Sequence, residues 1–395
     1  MRLPFLTLIL MLLCNVSADW YIYRFIKKHF SENKFLSRFQ LITAGIFALG
    51  IISLFVIPVQ SLPDSFLRTL MWIIFIYISV YVPKYIFVIF DVIASVPHLF
   101  KRRKIKAVTW TGAIVGLIVF CSFWWGALFN RFDIEVKDVN VRIDNLPEAF
   151  EGFRIAQISD LHVGTYGTDT AFVSKLVEQI NALNPDVVLF TGDIVNRKTD
   201  ELTPFEKTLS HIKAPYGVYS VLGNHDYGDY YLWPDSIAKK DNVKQMAIAQ
   251  KRMGWNLLKN DYDVLTNKGD TLILIGVENI GDPPFHVYGD LTKAYPNLDD
   301  KFTKILLTHN PAHWVKDVAD SDKTIALTLS GHTHAMQMSF FGFSPAVFRY
   351  KTWGGLYKDD SEKHQLYVNT GIGTVGLPAR IGATPEITLI TLHGK

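Results

Sequence analysis

Five short polar clusters after residue 150 carry side chains suited to holding metal ions: Ser159-Asp160-Leu161-His162, Thr191-Gly192-Asp193, Gly223-Asn224-His225-Asp226, Thr308-His309-Asn310-Pro311 and Gly331-His332-Thr333-His334. Taken singly each is weak, because a histidine after a strand is usually a satisfied core or surface residue and a Gly-Asp pair is usually a turn. The set is stronger than its members. It gathers five of the chain's twelve histidines with three aspartates and Asn224, the donor types that hold hard or borderline cations through oxygen and imidazole. Both cysteines, Cys14 and Cys121, lie in apolar N-terminal runs, which leaves the rest of the chain no thiolate site and no disulfide framework. In Asp160-Leu161-His162 and His332-Thr333-His334 the first and third side chains leave an extended backbone on one side, so each pair can converge. Glycines before Asp193, Asn224 and His332 allow a sharp turn directly after a strand.

The elements that must position these side chains are legible as short β-rich runs, at Arg154 to Ser159, Val187 to Thr191, Gly217 to Leu222, Thr271 to Val277, Lys304 to Thr308, Ile325 to Leu329, Leu366 to Asn369 and Glu386 to Leu392. Such runs read as buried strands. Between the first two, Phe172, Val173, Leu176, Val177, Ile180 and Leu183 form a helical stripe. The pattern predicts an α/β domain, a sheet covered by helices, with the polar clusters at strand ends where such sheets place ligands.

The order Asp-x-His, Gly-Asp, Gly-Asn-His-Asp, His, Gly-His-x-His resembles the signature of the calcineurin-like metallophosphoesterases, over roughly residues 150 to 395. The resemblance implies a layered β-sandwich flanked by helices and two divalent or mixed-valence transition metal ions, manganese, iron or zinc. It implies that Asp160, His162, Asp193 and His334 bind one metal, that Asp193, Asn224, His309 and His332 bind the other, and that Asp193 bridges them. His225 would donate a proton to the leaving oxygen, with Asp226 orienting its ring. Two cations held by one carboxylate can share a hydroxide that attacks phosphorus at neutral pH. The expected activity is hydrolysis of a phosphodiester or phosphomonoester, with the diester preferred because a poor leaving group needs the acid His225. The tail, Asn369-Thr370-Gly371-Ile372-Gly373, Leu377-Pro378-Ala379-Arg380 and Pro385-Glu386-Ile387, is similar to that of small membrane-anchored or exported bacterial phosphoesterases. It leaves Arg380 either a contact to substrate phosphate or a buried ion pair with Glu386. Two departures bear on the pocket floor: Asn196 stands where an acidic residue is common, and Ala335-Met336-Gln337 where Gly-Gly-Gln is common.

Ahead of this domain lie apolar runs that predict an all-α membrane region over residues 1–130, with the catalytic domain at 131–395. Four spans fit, Leu3 to Tyr23, Leu41 to Val59, Phe66 to about Ile93 and Ala107 to Phe129. The third reads either as one long tilted span or as a span followed by an interfacial helix, with Lys84 and Asp91 as the only intramembrane charges and an interfacial position as their simplest explanation. Arg24, Lys27, Lys28, Lys34 and Arg38 in the first loop, and Lys101, Arg102, Arg103, Lys104 and Lys106 in the third, set those loops in the cytoplasm and the domain outside it. Reading residues 1–18 as a cleaved signal peptide would reverse that side, against the charge rule.

A formal net charge of +3 is too small to hold nucleic acid by counterion release. The expected partners are the bilayer and a phosphate ester, including a lipid-linked one. That last reading rests on Phe340, Phe341, Phe343, Phe348, Tyr350, Trp353 and Leu356 directly after His334, although an ordinary packed loop is the simpler expectation for them. The competing class is a catalytically inactive metal-binding scaffold of a membrane complex. His29, His98, His211, His286, His313, His364 and His393 receive no role.

Overall fold

The structure, a computed structural model, describes residues 5–56, 62–281, 286–295 and 301–394. The expected start of the first span at Leu3 and end of the second at Val59 lie outside them. The chain divides into two compact units, residues 1–125 and 126–395.

The first unit is helical. Helices α1 (Phe5–His29), α2 (Lys34–Val56), α3 (Asp64–Ser95) and α4 (Lys106–Leu128) are long and apolar enough to cross a bilayer. They expose Leu13, Ile46, Leu49, Ile89 and Leu117, as side chains facing acyl chains would be. Helix α3 runs unbroken through Pro83 for 32 residues, about 48 Å at the helical rise, so Lys84 and Asp91 belong to the same helix as the apolar run before them.

Lys84 and Asp91 are not the only charges in the apolar helices. Asp19, within the apolar part of α1, is 7% exposed and receives Lys84 Nζ at 2.7 Å, Gln40 Nε2 at 2.7 Å and Tyr81 Oη at 2.6 Å. Asp91 is 2% exposed and receives Tyr21 Oη, Lys104 Nζ and Thr109 Oγ1. A lone carboxylate in hydrocarbon is costly, so each is surrounded by donors from other helices. These contacts tie α1 to α2 and α3, and α3 to α4, where apolar packing alone discriminates weakly between helix faces.

The second unit is a two-sheet sandwich among the described residues. One sheet has the order β1 (Glu135–Ile143), β12 (Glu386–Gly394), β2 (Arg154–Ile158), β3 (Val187–Phe190), β4 (Val218–Ser220), β5 (Trp255–Leu257). The other has β10 (Gly355–Lys358), β11 (Gln365–Val368), β9 (Ile325–Ser330), β8 (Thr303–Leu307), β7 (Asp270–Gly276), β6 (Asp261–Asn267). Alternation along each strand assigns the faces. Ile155, Val187, Leu189, Leu272, Leu274, Ile305 and Leu307 fill the space between the sheets. Ala156, Val188 and Phe190 face outward onto α5 (Ala171–Ala182) through Val173, Leu176 and Ile180, and Ile273, Ile275 and Leu306 build an outer core on the other sheet. Each fully buried Leu, Ile or Phe contributes roughly 1.5–3 kcal/mol of transfer free energy.

All eight expected strands are present, within a residue or two. Four were not expected, β1, β5, β6 and β10, and they are the four edges of the two sheets. An edge strand is solvated along one side and needs no continuous apolar run; β1 carries Lys137, Asp138 and Arg142.

Candidate metal centre

Strands β2, β3 and β4 pair in parallel, as do β8 and β9, so within each sheet their carboxyl ends lie along one edge. The five polar clusters are the loops that leave those ends. Parallel pairing requires the chain to turn away at once, and Asp160, His162, Asp193, His332 and His334 all take positive φ, between 44° and 74°. Non-glycine residues hold that conformation at a cost of about 1–2 kcal/mol each, a form of strain that collects at functional sites. The glycines beside them serve close approach: a Cβ on Gly223 would strike the Asp193 carboxylate, and one on Gly331 would strike Ser159 and Asp160.

The turns bring the side chains into adjoining groups. His162 Nε2 lies 3.0 Å from His334 Nε2, which is 3.1 Å from Asp160 Oδ1. His309 Nε2 lies 3.1 Å from Asp193 Oδ2, 3.1 Å from Asn224 Oδ1 and 3.2 Å from His332 Nδ1. Asp193 Oδ2 is also 3.8 Å from His162 Nε2, so its carboxylate stands between the groups. Cis ligands at about 2.1 Å from one cation are separated by about 3 Å, the spacing seen here. All seven residues that the motif resemblance singled out as ligands therefore meet at one place.

Contacts behind the rings fix their tautomers. His162 Nδ1 faces Val195 O at 3.1 Å and His309 Nδ1 faces Thr191 O at 2.8 Å. A carbonyl only accepts, so each Nδ1 carries the proton and each Nε2 presents a lone pair to the site. His332 is turned the other way, with Tyr350 Oη at 3.2 Å from its Nε2 and its Nδ1 directed at His309. Asn224 Nδ2 donates to Tyr230 Oη at 2.9 Å, which turns its amide oxygen toward His309.

In the second group the neutral His309 Nε2, the Asp193 carboxylate and the Asn224 amide oxygen would be acceptors facing acceptors. The arrangement demands positive charge. Although burial opposes it, the Asp193 carboxylate pushes His309 up to about 9. Burial, reinforced by the charge of His309, drives His332 down to about 3. Burial raises the Asp193 and Asp160 carboxyls, yet His309 and His225 around the former and His334 around the latter hold both below the usual carboxylate range. The donor set fits divalent cations, which would supply the charge without a proton.

His225 lies beside these groups. Its N–H donates to Asp193 Oδ1 at 2.8 Å, its ring stacks on Tyr230 at 4.2 Å, and its Nδ1 donates to Asn196 O at 2.6 Å. The expected partner of that ring, Asp226, is elsewhere. Its buried carboxylate accepts the backbone N–H groups of Asp193, Ile194, Val195 and Gly223, clamping the β3 loop to the β4 loop. Burial, then the charge of Asp193, raises Asp226 to about 7.

Arg380 also differs from both expectations. It is wholly buried and cannot meet a substrate phosphate, while Glu386 pairs with Lys137 at 2.7 Å. The guanidinium donates to the carbonyls of Gly373, Ala383, Thr384 and Thr370 and lies 3.3 Å from His334 Nδ1. Burial lowers it to about 10. It fastens the tail loops behind His334.

A cavity of about 180 Å³ opens over the site, lined among others by Asn224, His225, Tyr230, His332, Arg349 and Tyr350. Tyr230 and Arg349 were not singled out by sequence, and Tyr350 only as one of the aromatics after His334; Tyr230 follows Asn224 by six positions in the same loop. In the stretch from Met338 to Tyr357 the first aromatics are exposed, whereas Tyr350 and Trp353 are half-buried. Phe340 and Phe343 are about half exposed, Phe348 is 85% exposed and Phe341 fully exposed. Gln337, which follows the departing Ala335 and Met336, pins the tail by donating to Leu377 O and Ala379 O and accepting from Val375 N, and at the other departure Asn196 supplies the carbonyl that holds His225.

Residues 153–336 match the family described as calcineurin-like phosphoesterase, and residues 1–131 match the probable calcineurin-like phosphoesterase transmembrane domain. An uncharacterised metallophosphoesterase of Bacillus subtilis is 30% identical over 307 residues, 74% of this chain and 97% of that protein. The chain belongs to the calcineurin-like phosphoesterases. A zebrafish transmembrane protein with a metallophosphoesterase domain is 31% identical over 268 residues, 65% of this chain, and the chain spans 57% of its length. A solved dimetal phosphatase from zebrafish aligns at 13% identity with a TM-score of 0.30, over 56% of this chain and 88% of that one. The phosphoesterase is thus a membrane-associated hydrolase of the metal-dependent class, with candidate ligands for two metals.

Two outcomes are expected. Arg380→Gln lowers the melting temperature and the metal content of the phosphoesterase while leaving KM for a soluble diester within about twofold, because the side chain supports His334 from behind; a large rise in KM alone would place it on the substrate. His313, buried with its Nδ1 2.9 Å from Thr308 Oγ1, is lowered from 6.5 to about 4 by burial. Between those values the unfolded chain binds the proton and the folded one does not, so this residue's contribution to stability is lost as pH falls from about 6.5 toward about 4. Thermal unfolding of His313→Phe against wild type should show a flatter dependence over that window.

Proposed function

We propose that residues 131–395 form a dinuclear phosphodiesterase held at the membrane by four helices. In this reading Asp160, His162, Asp193 and His334 hold one ion, and Asp193, Asn224, His309 and His332 the other, from manganese, iron or zinc. The observation that carries it is the shared carboxylate of Asp193, standing between two groups of donors whose lone pairs face one another. Bound divalent cations supply Lewis acidity, neutralising phosphoryl oxygens and acidifying water.

The chain's own residues do the rest. Tyr230 and the Thr191, Val195 and Asn196 carbonyls hold the donors in their working tautomers and orientations. His225, anchored through Nδ1 and lining the cavity, would when protonated deliver a proton from Nε2 to the departing alkoxide. An acid of this kind matters most for a poor leaving group, which favours the diester. Arg349, at the cavity rim, adds a cation for the ester's remaining charge. The exposed Phe341 and Phe348, in the same segment as Arg349 and Tyr350, favour a substrate that carries an apolar chain. The basic first and third loops favour a catalytic domain outside the cytoplasm.

His225→Gln should lower kcat on a chromogenic phosphodiester by about 10²- to 10⁴-fold with bound metal unchanged, whereas Asn224→Ala should lose metal and turnover together; wild-type turnover in either variant overturns the mechanism. The double variant Phe341→Ser/Phe348→Ser should hydrolyse a vesicle-embedded phospholipid diester about tenfold more slowly while its rate on the soluble ester stays within about twofold. Equal losses on both would mean that the loop serves the site alone.

A further inference from the structure

The basic residues of the first and third loops do more than mark a side of the membrane. They meet. At the end of the helical unit, the carboxyl-terminal turns of α1, the end of α3 and the loop that follows it enclose a groove of about 580 Å³. Arg24, Lys27 and Lys28 come to it from α1, and His98 and Lys104 from beyond α3.

Asp91 is the one carboxylate lining this groove. It is buried, and its charge is already balanced by Lys104 Nζ at 2.5 Å, with the Tyr21 and Thr109 hydroxyls donating to its oxygens. Arg24, Lys27 and Lys28 have no carboxylate within ion-pair distance among the described residues. Two of them lie instead against aromatic faces, Arg24 4.8 Å from the Trp20 ring and Lys27 5.3 Å from the Tyr23 ring. Stacking of this kind keeps a guanidinium or ammonium in place while leaving its N–H donors free. The groove therefore holds a net positive charge with unused donors.

Its depth identifies the ligand. Trp20, Tyr21 and Tyr23 line it where the apolar run of α1 gives way to cations, the position of an interfacial aromatic belt and hence of lipid headgroups. Val16 on α1 and Ile89 and Val92 on α3, one turn or so inward from the groove, are exposed apolar side chains along which acyl chains could run. A soluble anion would use the cations and leave the aromatic and apolar wall without purpose. We propose that this groove is a binding site for the phosphodiester headgroup of an anionic phospholipid, with Arg24 and Lys27 as its principal cations.

The test uses the full chain purified in a zwitterionic detergent, with bound phosphatidylglycerol counted by native mass spectrometry during a titration. Wild type is expected to retain the lipid, and Arg24→Gln/Lys27→Gln to retain it at least about tenfold more weakly. Arg102→Gln/Arg103→Gln removes the same charge from the third loop, at positions outside the groove, and is expected to bind as wild type does. Arg24→Lys/Lys27→Arg keeps both charges and is expected to recover most of the binding, which separates loss of the site from loss of the fold. Equal retention by the two glutamine variants would overturn the site as a matter of general basicity. Displacement of the lipid by millimolar glycerol phosphate would overturn the lipid as ligand in favour of a free phosphate ester.

Discussion

The carboxylate of Asp193 lies buried between nitrogen donors from both sheets, at 2% exposure, and an ionised group in that position demands compensation on every side. His309 answers it with a ring nitrogen at 3.1 Å, His225 with a backbone N–H at 2.8 Å, and Asp226 holds the peptide on which it stands. Gly223 has no Cβ because one would occupy the carboxylate's space. Removing any of these leaves a charge without a partner, so the loops after β3, β4 and β8 are fixed jointly. The same electrostatic demand that makes His309 basic makes the cluster a place for cations.

Supporting that cluster costs local backbone energy. Five of the seven donor-bearing residues sit in the left-handed region, and Ala335 and Met336, in the following loop, do as well, at φ of 50° and 49°. The sandwich core between the sheets and the outer cores on either side supply the burial that offsets this strain. Arg380 belongs to the same economy: a cation driven into the interior, satisfied by four carbonyls, stiffens the tail behind His334 without reaching solvent.

The helical unit solves a related problem in another solvent. Asp19 and Asp91 sit among apolar helices, and each is matched by a lysine and by hydroxyl or amide donors from neighbouring helices. Where every helix face is oily, such pairs give each helix a single preferred partner and rotation. One consequence is the convergence of two basic loops that lie about seventy residues apart in sequence.

Much of this was fixed locally and could be read without coordinates. The eight interior strands announce themselves because both faces are buried, so nearly every residue is apolar; the donor clusters announce themselves because parallel strands must turn at their ends and ligands must follow the turn. The seven candidate donors were marked out by their own spacing and by family likeness. What needed the tertiary structure was everything set by proximity between distant segments. Of the four edge strands, β1, β6 and β10 carry charged residues and β5 is only three residues long, so none has a continuous apolar signature. Asp226 looks like a partner for His225 next to it in sequence, yet its oxygens meet four N–H groups across two loops, and the ring turns instead to the Asn196 carbonyl. Arg380 and Glu386 look like an ion pair until Lys137 arrives from β1. Asp19 resembles a stray polar residue until Lys84, 65 positions later, reaches it at 2.7 Å. Periodicity and residue type decide which surface a segment buries; which groups then satisfy one another is decided only when the buried surfaces meet.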